Sequence, residues 1–112
     1  MSGGYFVEPP NNFIYVPIDI AVNGDNTLVA ALAGKKTRVL QMMVIAAGTV
    51  NLRLESGAGG TALSGQINLI ANVGFVLPYS PIGWCETAVN TLLNAELSAA
   101  VSVDGFLVVT QL

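Results

Sequence analysis

Apolar and polar side chains alternate with a period of two along much of this chain, which restricts those stretches to β-strands with one buried face. In the first such stretch Ile14, Val16, Ile18, Ile20 and Val22 fall on one side, and Tyr15, Pro17, Asp19, Ala21 and Asn23 on the other. Pro17 has no amide hydrogen to give to a ladder, so this strand belongs at a sheet edge. The cluster Asn23-Gly24-Asp25-Asn26 predicts a reversal, because Gly and Asn tolerate the positive φ of tight turns. Residues 36–47 read as a longer strand that is apolar on both sides in its second half, which predicts a central strand covered on both faces. Beyond Gly48 the alternation is at its cleanest, with Val50, Leu52 and Leu54 opposing Thr49, Asn51, Arg53 and Glu55. A single Gly-containing turn between these two runs predicts an antiparallel hairpin.

Further along, residues 56–60 form a Gly-rich loop, and 66–70 and 75–77 are short strand candidates. Pro78-Tyr79-Ser80-Pro81 marks an irregular connection. Leu93, Ala95 and Leu97 then oppose Asn94, Glu96 and Ser98, and Asp104-Gly105, the dipeptide of two-residue hairpin turns, leads into a closing strand over 106–112. Residues 27–33 and 86–100 hold Ala and Leu, which favour helix, but in the second no clean three-four apolar spacing persists, and one short helix at most is expected. About eight short antiparallel strands separated by Gly, Pro and Asn make the predicted fold all-β: a jelly-roll-like β-sandwich in one domain over residues 13–112. Residues 1–12, with Gly3, Gly4, Pro9, Pro10, Asn11 and Asn12, read as an extended N-terminal arm.

The pattern leaves more apolar residues than one small sandwich needs: 53% of the chain is hydrophobic and 10% charged, against about 25% charged in a typical soluble domain. A membrane span requires about 20 consecutive apolar residues. The densest run, 39–50, is shorter and follows Lys35, Lys36 and Arg38, while Gly and Pro repeatedly interrupt the uncharged stretch 56–85. No basic segment followed by an apolar core opens the sequence, so synthesis in the cytoplasm without a secretory signal is expected. Burial between subunits accounts for the excess, since obligate interfaces resemble a core cut in half, and self-association is the expectation. A net charge of −3 lacks the basic footprint of a phosphate-backbone binder. Neither nucleic acid nor membrane is an expected partner.

The absence of histidine removes the usual general base, the usual zinc ligand and every Ser-His or Cys-His nucleophile. The carboxylates show no calcium-loop spacing, and no metal is assigned. Gly57-Ala58-Gly59-Gly60-Thr61-Ala62 fits a loose dinucleotide fingerprint, but Leu63-Ser64-Gly65 offers a turn where a helix is required, so it reads as a hairpin loop. Cys85, alone in the chain, reads as a small buried hydrophobe. Glu86 and Glu96 match a glycosidase pair by identity alone. The prediction is a protein without enzymatic activity or cofactor. Lys35, Lys36 and Arg38 read as a solvated strand start, the rival being a site for phosphate or an acidic partner. Tyr79 and Trp84 read as aromatics packed in the core or at a subunit contact, the rival being a platform that stacks on a sugar.

The run Gly74-Phe75-Val76-Leu77-Pro78-Tyr79-Ser80-Pro81-Ile82-Gly83-Trp84-Cys85-Glu86-Thr87, followed by Leu93-Asn94-Ala95-Glu96-Leu97-Ser98-Ala99-Ala100-Val101, resembles small β-rich proteins that tailed phages encode near their head genes. Gly34-Lys35-Lys36-Thr37-Arg38-Val39-Leu40 and Thr61-Ala62-Leu63-Ser64-Gly65 fit the same pattern, and the likeness spans roughly residues 19–112. The resemblance implies a capsid decoration or cement protein: a jelly-roll-like sandwich on the outer shell of the virion, commonly a homotrimer, tying major capsid protein subunits together. It carries over no catalytic residues. Tyr5, Phe6 and Val7 of the arm, with Tyr79 and Trp84, are the expected contacts to a neighbour or to the shell. An arm of this kind is suited to add a strand to an exposed sheet edge. The alternative expectation is a carbohydrate-binding, adhesin-type module of a phage tail or fibre, with Tyr79 and Trp84 stacking on a glycan.

Overall fold

In the computed structural model, which describes residues 13–112, all paired strands run antiparallel and no helix forms among the described residues. In chain order the strands are β1 (Phe13–Ile20), β2 (Gly24–Val29), β3 (Thr37–Ala46), β4 (Val50–Ser56), β5 (Thr61–Ala62), β6 (Ile67–Leu69), β7 (Gly74–Leu77), β8 (Cys85–Glu86), β9 (Leu93–Leu97) and β10 (Val103–Gln111). One sheet, the β1 sheet, has the order β1-β10-β3-β7, with β8 also on β3; the other, the β2 sheet, has the order β2-β9-β4-β5, with β6 also on β4. Because β7 and β8 share one side of β3, and β5 and β6 one side of β4, the short strands fill eight positions in two four-position sheets. This is the jelly-roll form of the sandwich.

The period-two pattern builds the core directly. Val39, Met42, Val44, Ala46, Leu107 and Val109 from the β1 sheet meet Val50, Leu52, Leu54, Leu93, Ala95 and Leu97 from the β2 sheet, all buried. Each large side chain removed from water in this way contributes roughly 1.5–3 kcal/mol. The segment 86–100 resolves to strand for the same reason: Leu93, Ala95 and Leu97 reach the core only with a period of two, and that burial outweighs the helical preference of Ala and Leu. Pro17 lies in β1, at the edge of its sheet, as its missing amide requires.

Three expected reversals take a different form, and in each the chain changes sheet or runs on. β3 and β4 do not pair: β3 bonds to β10, β7 and β8, and β4 to β9, β5 and β6. The turn at Gly48 carries the chain over the end of the sandwich, which keeps Ala46 and Val50 both in the core. At 23–26 the chain likewise passes from the β1 sheet to the β2 sheet. Gly24 takes φ +96° there, and the Asn26 side-chain amide donates to the carbonyls of Val22 (2.8 Å) and Gly24 (3.1 Å), building a corner instead of a hairpin turn. Asp104-Gly105 is not a turn at all but lies inside β10, opposite Ile45 and Val44. A Cβ on Gly105 would sit 1.8 Å from the Met43 carbonyl oxygen, so glycine serves close strand approach here.

β3 is central, as expected, but it is not covered on both faces. Its inward residues Met42, Val44 and Ala46 are buried, whereas Met43 and Ile45 stay 41% and 47% exposed.

Candidate interaction face

Strand register places Tyr15 and Pro17 of β1, Phe106 of β10, Met43 and Ile45 of β3 and Val76 of β7 on the outer side of the β1 sheet. Pro17 pairs with Phe106, Phe106 with Met43, and Met43 with Val76, a continuous apolar row across four strands. Tyr15 is 73% exposed, Val76 60% and Phe106 37%. Single exposed apolar residues are ordinary on protein surfaces; a contiguous row across a whole sheet marks an interaction surface.

Charge sits at the two ends of this face and not in its middle. At one end Asp19 and Asp104 face each other across β1 and β10. Partial loss of hydration raises the Asp104 carboxyl above the usual range although the residue is exposed, and the hydrogen bond and negative charge of Asp19 raise it further. At the other end Glu86 of β8 accepts from Lys36 Nζ (2.9 Å) and from Arg38 (2.8 Å), and these bonds hold its carboxyl below the ordinary range. Lys36 and Arg38 thus clasp a carboxylate of their own chain instead of standing as a solvated strand start. Lys35, exposed beside them, is the cation without a carboxylate partner among the described residues.

The connection from β7 to β8, residues 78–84, borders the face. It is tied to β3 by bonds from the Ser80 amide to the Leu40 carbonyl (2.9 Å) and from the Trp84 amide to the Val39 carbonyl (2.8 Å). Tyr79 meets Phe13 edge-on, with ring centroids 6.1 Å apart. The Trp84 indole N–H donates to the Pro78 carbonyl at 2.8 Å, which satisfies its polar tip within the loop. Both rings are 48% exposed, so neither is the core aromatic that the sequence allowed. Cys85, next to Trp84, packs against the core; burial, reinforced by Glu86, pushes its thiol up to about 11, which leaves it protonated and unreactive at neutral pH.

The outer side of the β2 sheet has the opposite character. Arg53 donates to Glu55 through Nε (3.0 Å) and Nη2 (2.7 Å) and to Glu96 through Nη2 (2.8 Å). Asn94 Nδ2 donates to both Glu55 Oε1 (2.9 Å) and Asp25 Oδ1 (3.0 Å). Glu55 is only 1% exposed. Burial pushes its carboxyl up, but the bonds from Arg53 and Asn94 outweigh that and bring it below the ordinary range. The loop after β4, where the glycine-rich run closes a plain β4–β5 hairpin, leans on this network through the Gly59 amide and Asp25. Alternation alone marked Glu55 as solvent-facing; its burial within the network of Arg53 and Asn94 leaves no periodic trace.

Among the expected contact residues, Tyr79 and Trp84 sit together at the rim of the apolar face, while Tyr5, Phe6 and Val7 of the arm lie outside the described residues. Glu86 and Glu96 occupy different sheets and are each engaged by cations. The main residues of the face, Tyr15, Met43, Ile45, Val76 and Phe106, were not singled out from sequence, although the two-sided apolar character of residues 36–47 was their signal. Comparison with protein-family models gives no match for this chain, and comparison with curated proteins gives none.

Proposed function

We propose that this protein is a non-enzymatic virion component that decorates and stabilises the outer surface of a phage capsid as a homo-oligomer, with a trimer as the expected form. The observation that carries the reading is the division of the sandwich: an apolar outer face on the β1 sheet and an ion-paired, hydrogen-bonded outer face on the β2 sheet. A surface of the first kind suits packing against protein and one of the second kind suits water. The phage assignment rests on the resemblance of residues 74–87 and 93–101. A partner that binds only the assembled shell stabilises it by mass action, with no chemistry required. In this reading the arm with Tyr5, Phe6 and Val7, and the rim with Tyr79 and Trp84, serve the neighbour and the major capsid protein.

A second reading, a glycan-binding module of a tail or fibre, is favoured by the half-exposure of Tyr79 and Trp84 on one loop. Trp84 is the sole tryptophan, so one experiment addresses both. Light scattering at micromolar concentration gives the solution mass, and Trp84 emission is followed on dilution and on titration with a panel of oligosaccharides. An oligomer with an emission shift on dissociation and no response to sugar is expected. A monomer whose emission responds to sugar overturns the decoration reading in favour of the second.

A further inference from the structure

The charge layout of the apolar face deepens the homo-oligomer reading, on which it rests, by naming what covers the face and in what direction. Asp19 and Asp104 give one end a side-chain charge of −2. Lys35, Lys36 and Arg38 against Glu86 give the other end 3 − 1 = +2. The register puts Asp104 opposite Ile45 and Thr110 opposite Arg38, so the ends stand six residues apart along β10, roughly 20 Å at the rise of a strand. Between them lie the apolar side chains, with no charged residue among them. Their exposed parts amount to on the order of 500 Å², taking roughly 150–250 Å² for a large ring; the rim aromatics bring this to ~700 Å², close to one partner's share of a standard interface.

We infer that the face is covered by a second copy of this chain, its Asp19–Asp104 end against the Lys35–Lys36–Arg38 end of the neighbour and apolar surface against apolar surface. Like-ended stacking brings −2 against −2 and +2 against +2, which is costly at close range, whereas opposite ends meet with complementary charge. An external partner has no reason to match a dipolar layout of this length; a second copy matches it by construction. Pairing one face with its own copy is isologous and closes as a two-fold contact, whereas a ring needs a contact between different surfaces, so the inference concerns this pairing, and a wild-type mass above two copies requires a second, different contact.

Charge reversal tests this. Asp19→Lys with Asp104→Lys makes both ends +2. Lys35→Glu with Lys36→Glu makes both ends −2. Each pair of substitutions is expected to weaken self-association by at least ~100-fold, read by analytical ultracentrifugation across a concentration series in low salt. The fourfold variant has its ends exchanged, +2 and −2, and is expected to regain association. Circular dichroism melts of each variant separate a lost contact from a lost fold. A wild-type oligomer indifferent to the reversals, or a fourfold variant no better than either pair, overturns the end-to-end pairing and leaves the homo-oligomer reading standing. A monomeric wild type overturns both.

Discussion

The polar network on the β2 sheet turns on a single neutral amide. Asn94 is fully buried, and its Nδ2 bridges Asp25 and Glu55 while its Oδ1 meets no partner among the described residues. A donor between two carboxylates is what holds them 2.9–3.0 Å from one residue. Asn94→Asp replaces the donor with a third carboxylate of nearly the same shape. At pH 7 it is expected to destabilise the fold by ~3–5 kcal/mol, the range for an uncompensated buried charge. The loss relative to wild type should shrink on acidification as the introduced carboxyl, buried beside two acids, takes up a proton, and urea unfolding midpoints at pH 7 and pH 4 check both statements. An unchanged midpoint at pH 7 means that the amide does not bridge the two acids. None of this was legible from Asn94 as a sequence position: alternation assigned it to the polar side of its strand, and nothing in that period tells a buried polar side from an exposed one.

At the level of strands, sequence pattern was informative about faces and poor about connections. Leu93, Ala95, Leu97, Val50, Leu52 and Leu54 reach the core as their spacing requires, because one missed alternation moves a whole strand's apolar set into water. Turn chemistry was read from the same residues less well. Asn23-Gly24 and Gly48 do bend the chain, but a bend between sheets and a hairpin within one use the same permissive residues. The Asp104-Gly105 pair shows why such a motif misleads: its glycine has a steric task in mid-strand, between β1 and β3. Gly105→Ala puts a methyl group 1.8 Å from the Met43 carbonyl oxygen, and β10 is held on both sides, so it cannot retreat without breaking a ladder. The expected cost is at least about 1–3 kcal/mol, the usual range for overpacking, visible as a lower urea midpoint with unchanged slope. A glycine that only served a turn would tolerate alanine better when the turn is remade, and a neutral substitution here would contradict the register of β10 on β3.

For the whole molecule the three shifted carboxyls pull against each other, and the balance fixes how stability depends on pH. Glu55 and Glu86 titrate below the ordinary range in the folded state. Their contributions are therefore complete above the unfolded value of about 4.3 and are lost as pH falls through the lower folded values. Asp104 titrates above its ordinary range, so its sign is opposite: the folded state holds its proton more tightly, and the penalty of facing Asp19 is present only once pH has risen through the folded value. Glu55, buried and bonded to Arg53 and Asn94, is the best insulated from solvent screening, whereas the Asp19–Asp104 pair stands in water where such terms are weak. Wild-type stability is expected to hold from pH 7 to about 5 and to fall below about 4. Asp104→Asn is expected to be the more stable protein at pH 7, with the advantage fading on acidification as Asp104 of the wild type takes up its proton. Chemical denaturation from pH 7 to pH 3, at one protein concentration so that self-association does not shift the midpoints, reads both profiles. A wild type that gains stability below pH 4 would place the like-charged pair above the Glu55 and Glu86 clasps in weight.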